Sequence, residues 1–236
     1  MQSHTIIFTD GASSGNPGPG GWGTIISFAG KISELGGGED RTTNNRMELQ
    51  AVYEGLKFVV DQGITSTPVR LYTDSSYVAN GINSWITGWK RRNWTNQAGQ
   101  TIANVDIWKN IAELLPDIGL TIVNVSGHSG VPGNERADQI ATGFARGTGY
   151  GLYYGDKDEY DVDLENLNMD NAVKKEKDRK KQKAYSYVSL VKGDPKIHYT
   201  WAECKARVEG QKGVKYKKAI SKDDEQNILR SWGVKL

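Results

Sequence analysis

Four acidic residues in the N-terminal part of the chain could together bind divalent cations: Asp10, Glu48, Asp74 and Asp138. Hard cations such as Mg²⁺ take oxygen ligands, and two ions about 3.5 to 4 Å apart can activate a water on one side of a phosphorus and stabilise the leaving oxygen on the other. Taken alone, each acid is more often a helix cap or a surface charge. Their spacing leaves a metal site and an unrelated set of acids equally open.

The local sequence puts two of these acids at strand ends and two in helices. The β-branched and aromatic run TIIFT leads into Asp10 and then into the glycine- and proline-rich GASSGNPGPGG, and VRLYT leads into Asp74 in the same way. Glu48 lies one turn into the helix predicted for TTNNRMELQAVYEGLKFVVDQG, and Asp138 lies one turn into a helix predicted over about 134–146. Backbone geometry could therefore aim all four side chains at one point.

The other elements complete an α/β domain. Two strand-like runs at 23–28 and 31–36 are joined as in a hairpin, and a helical stretch at about 102–115 leads into the strand LTIVNV. The order β-β-β-α-β-α-α-β-α predicts a mixed five-stranded sheet flanked by helices.

Composition predicts a second, smaller domain. The chain has 236 residues, 37% of them hydrophobic, and a formal net charge of only +2, but residues 184–236 hold 11 basic and 6 acidic residues. Before them, 148–183 join an acidic to a basic stretch with almost no apolar periodicity, which is typical of a linker. We therefore predict a main domain at 1–147, a charged linker at 148–183 and a small α/β domain at 184–236, with the order strand, helix, strand, helix. Its basic surplus fits a polyanion contact and equally a solvated surface.

Cysteine content and hydropathy indicate the cellular setting. Cys204 is the single cysteine, the start MQSHTIIFTD has no apolar signal region, and no run of 18 apolar residues occurs. We expect a monomeric, soluble, cytoplasmic protein that does not enter a membrane.

Five blocks of sequence around the acids resemble those of type 1 ribonuclease H. FTDGASSGNPGPGGWG, TTNNRMEL, LYTDSSYV, NVDIW and VSGHSGVPGNERAD occur in the family's order at compatible separations, over about residues 4–147. The resemblance implies a ribonuclease H-like fold and an endonuclease that hydrolyses the RNA strand of an RNA–DNA hybrid, leaving 5′-phosphate and 3′-hydroxyl ends. It also implies two Mg²⁺ ions per active site, for which Mn²⁺ can substitute. A cut at residue 148 is then expected to leave a folded, active nuclease.

The resemblance assigns roles to the residues that carry it. Asp10 would bridge both metal ions, and Asp138 would complete the ion that holds the attacking water. Glu48 and Asp74 would complete the other ion, and Glu48 would also sense a ribose 2′-hydroxyl. His128, in the loop GHSGVPGN, would move protons or help release product, although a loop histidine without this context is usually only solvated.

Contacts that distinguish the two strands of a hybrid are implied in the same way. Three asparagines fit amide groups that face the minor groove, where the 2′-hydroxyl distinguishes RNA from DNA: Asn16, Asn44 and Asn45. A phosphate of the DNA strand would be held by a second group: Arg41, Thr43 and Asn104.

The segment NSWITGWKRRNW resembles the family's basic protrusion. The residues expected to contact nucleic acid are Trp85 and the triplet Lys90, Arg91 and Arg92, whose phosphate contacts would make affinity fall with salt. Packing into the core is an equally open alternative for Trp89 and Trp94.

Gly18, Gly20 and Gly23 satisfy G-x-G-x-x-G, the dinucleotide-binding fingerprint. A strand and not a helix follows them, and Pro19 lies among them, so no phosphate would meet a helix N-terminus. We expect these glycines to permit a tight turn into the second strand.

The C-terminal domain resembles the hybrid-binding domain of many ribonucleases H, which is akin to the viroplasmin domain. The blocks TWAEC and KYKKA carry the resemblance, together with Tyr187. It implies that Trp201 and Tyr216 stack or pack against the sugar–phosphate backbone, and that Lys217 and Lys218 bind phosphates. This domain usually precedes the catalytic domain, and ILRSWG is not one of its blocks, so a small basic domain with a core tryptophan is the alternative.

Two other functions would need a different sequence. A non-catalytic hybrid-binding protein would have a broken acidic quartet, and all four acids are present. An integrase or transposase relative would lack the blocks TTNNRMEL and GHSGVPGNERAD.

Overall fold

The computed structural model of the protein describes residues 4–125, 130–149, 151–167, 183–191, 193–211, 213–232 and 234. The chain divides into two compact units, Met1–Ala172 and Val173–Leu236. Over the described ranges, none of the helices has the length and apolar character needed to cross a membrane.

The first unit is built on a mixed six-stranded sheet. Its strands are β1 (Thr5–Ser13), β2 (Gly18–Phe28), β3 (Lys31–Thr42), β4 (Val69–Thr73), β5 (Leu120–Asn124) and β6 (Tyr154–Asp156). Their order across the sheet is β5-β4-β1-β2-β3-β6, with parallel pairing among β5, β4 and β1 and antiparallel pairing elsewhere. This confirms the predicted α/β fold class, with one strand more than the five predicted.

The described part of this unit has five α-helices: α1 (Asn44–Asp61), α2 (Ser76–Asn80), α3 (Ile86–Arg91), α4 (Val105–Leu114) and α5 (Pro132–Ala145). Side chains of the preceding residues cap α1 and α2, since Thr43 accepts from the backbone N–H of Arg46 and Ser75 accepts from that of Val78. A π-helical turn, Gly81–Trp85, joins α2 to α3.

Alternating side chains of the central strands face two separate cores. Ile7 packs with residues of α1 and α4, including the fully buried Trp108, while the next residue, Phe8, packs with residues of α5. Because successive strand residues point to opposite faces, α1 and α4 cover one face of the sheet and α5 covers the other.

The additional strand comes from the segment predicted as a linker. β6 pairs with the edge of β3, opposite Lys31–Ser33, and Leu164 is buried in the core on the α5 side. Three residues in an acidic stretch have little strand propensity, so β6 forms through its pairing with β3 and the burial of neighbouring apolar side chains. Residues 168–182 of that predicted linker lie outside the described residues.

The described residues of the second unit form a three-stranded antiparallel sheet with two helices. Its elements are β7 (Ser186–Val191), β8 (Asp194–His198), α6 (Trp201–Val208), β9 (Lys215–Ala219) and α7 (Lys222–Ser231), with strand order β8-β7-β9. The sequence did not predict β8, because Pro195 and polar neighbours obscure a strand that occurs only at an edge. Thr200 and Glu203 form a capping box at the start of α6.

Candidate functional site

Three of the four predicted carboxylates form one cluster. Ligand atoms of Asp10, Glu48 and Asp74 all lie within 4.8 Å of one another. The parallel strands β1 and β4 pair in register as far as Phe8 and Tyr72. Asp10 and Asp74, each two residues later along the chain, therefore lie side by side. Asp74 directly follows β4, whereas β1 continues past Asp10 to Ser13 because it stays paired with β2.

Two glycines let helices approach this cluster closely. A Cβ on Gly11 would lie 2.2 Å from the backbone nitrogen of Glu48, so the absence of that atom brings α1 against β1 beside Asp10. A Cβ on Gly23 would lie 2.5 Å from the carbonyl oxygen of Ala137, the residue before Asp138. Gly23 pairs with Asp10 across the strands, so α5 crosses the sheet at the strand partner of Asp10.

Of the G-x-G-x-x-G glycines, Gly18 fits the expected turn into β2, because it opens the strand and a Cβ there would lie 2.3 Å from the carbonyl oxygen of Ser14 in the preceding turn. Gly20 and Gly23 lie inside β2 and have another role. A Cβ on Gly20 would lie 2.3 Å from a methyl group of Thr42, and Gly23 meets α5 as described. Close packing therefore explains Gly20 and Gly23.

Asp138 lies beside the cluster without belonging to the tight group. It is partly exposed on α5, and its charge is one of those that raise the pKa of Asp10. The fourth predicted acid is thus close enough to act electrostatically on the first.

Burial and the neighbouring acids dominate the electrostatics of the cluster. Burial, followed by the charges of Asp74 and Asp138, raises the pKa of Asp10 to about 8. Burial, followed by the charges of Asp10 and Asp74, raises the pKa of Glu48 well above its ordinary value. A cation bound here would reverse both shifts.

Hydrogen bonds fix one oxygen of each buried carboxylate. The N–H of Gly11 donates to Oδ1 of Asp10 at 2.7 Å, and the side-chain amide of Asn44 donates to Oε1 of Glu48 at 3.3 Å. The other oxygen of Glu48, Oε2, is buried and has no hydrogen-bond partner among the described residues. A buried carboxylate oxygen without a donor suits a metal ligand. His128, the predicted proton-transfer residue, lies outside the described residues.

The predicted phosphate pocket is built on two helix starts. Thr43 caps α1, and Asn104 precedes α4 with a left-handed backbone, φ 55°. Sequence reasoning missed the residue that joins them: Arg46 on α1 donates to both carboxylate oxygens of Asp106 on α4, at 3.0 and 2.7 Å. The sequence feature that could have identified Arg46 is its position within the block TTNNRMEL.

The other residues predicted to contact the hybrid beside the acids are accessible to a ligand. Arg41, Asn16, Asn44 and Asn45 are all exposed. Of these, Asn44 is tied to the carboxylate cluster through Glu48.

Trp85 and the basic triplet belong to one surface, with differing contacts. Trp85 is 39% exposed and lines an open groove together with Arg91 and Arg92. Lys90 donates instead to the carbonyl of Ala112 at 3.1 Å, which ties α3 to α4.

The tryptophans left open by the sequence pack inward. Trp89 and Trp94 contact the core on the α1 side, and the rings of Trp89 and Trp108 meet edge to face at 5.3 Å. Both are half-buried against the core, and Trp89 also lines the open groove beside Trp85.

In the second unit, three aromatic rings form a tilted cluster at the surface. Trp201 lies between Tyr187 and Tyr216, with centroid separations of 5.5 and 5.6 Å. Trp201 is 43% and Tyr216 52% exposed, so this is not a buried core tryptophan.

The two predicted phosphate-binding lysines point to opposite faces of β9. Lys218 pairs with Tyr187 and shares a face with Tyr216, while Lys217 pairs with the buried Val188. Because β9 is an edge strand, both faces border the same free edge.

A buried ion pair near Asp138 was not predicted. Glu34 on β3 has a fully buried side chain, and Arg136 on α5 donates to its two oxygens at 2.7 and 2.8 Å. Tyr160 and the N–H of Tyr153 also donate to it. Burial raises the pKa of Glu34, but these hydrogen bonds outweigh it and hold the pKa below its ordinary value.

A mixed sheet with clustered carboxylates beside its parallel strands defines a metal-dependent phosphodiester hydrolase as the candidate class. A family model described as RNase H matches residues 2–146, more than half of the chain. The chain belongs to the ribonuclease H family. A second model, described as the ribonuclease H1 N-terminal domain, matches residues 191–224, so a domain of that kind lies at the C-terminal end of this chain.

Individual proteins agree with the family assignment. The ribonuclease H of Cyanothece sp. is 49% identical over 145 residues, 60% of this chain and 88% of that protein. The ribonuclease H of Methylobacillus flagellatus is 50% identical over 142 residues, 60% of this chain and 91% of that protein. Among solved structures, LC9-RNase H1, described as a type 1 RNase H with the type 2 active-site motif, is 29% identical with a TM-score of 0.57, covering 65% of this chain and 78% of that one. The PFV RNase H domain is 26% identical with a TM-score of 0.51, covering 62% and 96%.

Proposed function

We propose that this ribonuclease H hydrolyses the RNA strand of RNA–DNA hybrids with two Mg²⁺ ions, leaving 5′-phosphate and 3′-hydroxyl ends. The observation that carries the proposal is the cluster of Asp10, Glu48 and Asp74, with ligand atoms within 4.8 Å of one another and Asp138 beside it. Family membership supports the substrate class.

The residues fit a hard divalent cation. All the clustered side chains offer carboxylate oxygens, two of them have raised pKa values, and Oε2 of Glu48 has no donor among the described residues. Bound ions would supply the positive charge that activates water and stabilises the leaving oxygen of the phosphodiester. Mg²⁺ suits such ligands, and we expect Mn²⁺ to substitute.

The chain's own residues would orient the reacting groups. Asp10, which clusters with Glu48 and Asp74 and feels the charge of Asp138, would be the shared ligand; Asp138 would complete one ion, and Glu48 and Asp74 the other. Asn44 holds Oε1 of Glu48, so the amide would set the direction in which that carboxylate faces a ribose 2′-hydroxyl. His128 would move a proton or assist product release.

Strand discrimination would use the surface around this cluster. Exposed Asn16, Asn44 and Asn45 suit amide contacts in the minor groove. The capped start of α1 with Thr43, the start of α4 with Asn104, and the exposed Arg41 suit a phosphate of the DNA strand.

The basic segment would extend this surface. Trp85, Arg91 and Arg92 line an open groove and suit contact with the sugar–phosphate backbone. Lys90 would contribute charge from its position at the end of α3, where it also contacts α4.

The C-terminal domain would bind hybrid separately. Trp201 and Tyr216 offer exposed ring faces, while Lys217 and Lys218 flank the free edge of β9 and would bind phosphates. Tethering the two binding domains would raise the affinity for hybrids long enough to engage both. We expect a cytoplasmic monomer, which the single buried cysteine suits.

A cleavage assay tests the proposal. One sequence is prepared as RNA–DNA, RNA–RNA and DNA–DNA duplexes and incubated with and without Mg²⁺, and the product ends are identified by mass spectrometry. Only the RNA of the hybrid should be cut, only with the metal, and Asp10→Asn should bind hybrid without cutting it. Cleavage by Asp10→Asn at near the wild-type rate would refute the assignment.

A further inference from the structure

The chain does not leave the first unit where α5 ends. Residues 151–167, which we name the strap, return across the α5 side of the sheet. β6 pairs with β3, Leu164 is buried, and Tyr153, Tyr160 and Val162 pack against the same core. The strap therefore closes one edge of the sheet and covers part of its core.

The strap also supplies half of the partners of a buried charge. Oε1 of Glu34 accepts from Nε of Arg136 and from the hydroxyl of Tyr160, while Oε2 accepts from Nη2 of Arg136 and from the N–H of Tyr153. Glu34 has no exposed side-chain surface, so each of these donors replaces a water. Two of the four come from the strap.

This network holds the helix that carries the acid beside the metal cluster. Arg136 is two residues before Asp138 on α5, and the helix between them lies against Gly23, the strand partner of Asp10. The arginine is a rigid planar fork, so holding it by two parallel hydrogen bonds fixes the rotation and height of the helix at this point. A small displacement of α5 would move Asp138 relative to Asp10.

We propose that the strap is an integral part of the nuclease domain and that Tyr160 is a positioning residue, which holds Asp138 through Glu34 and Arg136. The role of Asp138 rests on the proposed function, but the attachment of the strap does not. A cut at residue 148, expected from composition to leave a folded nuclease, would remove β6, Leu164 and both tyrosine donors. The folded nuclease domain accordingly extends to residue 167.

The test uses the full chain with Tyr160→Phe, which removes the donor to Glu34 and keeps the ring that packs on Tyr153 at 4.9 Å. The matched control is Tyr154→Phe, on the same segment but 76% exposed. Amide hydrogen exchange of α5 is measured on the metal-free proteins, Mn²⁺ affinity by titration, and kcat and KM on a short hybrid.

Tyr160→Phe should speed exchange in α5 and reduce both Mn²⁺ affinity and kcat by roughly tenfold, with KM for the hybrid unchanged. Tyr154→Phe should change none of these. Arg136→Lys, which keeps the charge but not the two-pronged contact, should reduce Mn²⁺ affinity similarly, and the double variant should show little further loss because both changes act on one path.

Each result decides the proposal. Unchanged exchange in α5 would show that the strap does not hold the helix. Faster exchange with unchanged Mn²⁺ affinity and kcat would leave a purely structural strap and overturn the positioning role. Failure of the proposed function would be seen in a different assay, as hybrid cleavage by Asp10→Asn. That result would leave the hydrogen-exchange result for α5 unchanged.

Discussion

Replacing Asp10 by asparagine should stabilise the metal-free protein, and should do so more strongly as pH rises. The folded pKa of Asp10 is about 8, against an ordinary value of 3.8. Between these values the unfolded chain has released the proton that the folded chain still binds, so stability falls with rising pH. Asparagine is neutral at every pH and removes this dependence, while its side-chain oxygen can still accept from the N–H of Gly11.

The size of the effect follows from the pKa difference. A shift of this size corresponds to about 2 kcal/mol of unfolding free energy at pH 5 and about 5 kcal/mol at pH 8. The advantage of Asp10→Asn should then stop growing, because above pH 8 the folded protein has also lost the proton. For a domain of this size the gain at pH 8 is a rise in Tm of about 10 °C or more.

Thermal unfolding in EDTA at pH 5 and pH 8 measures this effect. Asp106→Asn is the control of opposite sign, because the hydrogen bond from Arg46 lowers the pKa of Asp106 and its loss should reduce stability at both pH values. Added Mg²⁺ should narrow the gap at pH 8, since only the wild type retains the full ligand set. An Asp10→Asn gain that is absent, or equal at the two pH values, would contradict the account of a desolvated, mutually repelling cluster.

Three further outcomes are expected. Metal binding should release protons below pH 8, because Asp10 and Glu48 must ionise to act as ligands. Calorimetry in buffers of different ionisation enthalpy should therefore show proton release, and the metal affinity should increase with pH. A metal affinity that does not depend on pH would exclude these ligands. Gly23→Ala should lower the free energy of unfolding in denaturant by about 1 to 3 kcal/mol and reduce cleavage, because its Cβ would lie 2.5 Å from a carbonyl oxygen of α5. Gly119→Ala is the control and should be neutral in both assays, because a Cβ there has nothing within 4 Å. Lys217→Ala and Lys218→Ala should each reduce the dependence of log affinity on log salt concentration, for a long hybrid, by about one unit. The two effects should add in the double variant, because the two side chains leave opposite faces of β9. A double variant that binds no more weakly than either single variant would show that the two lysines share one phosphate.

The sequence predicted the placement of the acids because the signals are local. A strand followed by Asp10 or Asp74 and an acid one turn into a helix are visible in a few residues, and the β-β-β-α-β order determines which strands can be neighbours. The close approach that brings Glu48 into the cluster and α5 with Asp138 beside it is less visible, since it depends on the missing Cβ atoms of Gly11 and Gly23.

Long-range features could not be predicted in this way. β6 is three residues in an acidic stretch, and it is stabilised by pairing with β3, which lies far outside a local window. A signal was nonetheless present, because LYY and the residues Tyr160, Val162 and Leu164 are too apolar for a solvated linker. The opposite orientations of Lys217 and Lys218 follow from strand alternation alone, so they could have been predicted once KYKKA was interpreted as a strand.

The distance along the chain between β3 and β6 has a consequence for synthesis. Ile32 is made long before Gly155, its partner in the sheet, so on a growing chain β3 is the open edge of an incomplete sheet. Open edges invite pairing with other chains, and an inward-pointing charge on the edge discourages it. Glu34 is such a charge, and two of its four donors are missing until the strap has been made. We therefore expect the carboxylate that binds Arg136 of α5 in the finished protein also to discourage edge pairing of the nascent chain.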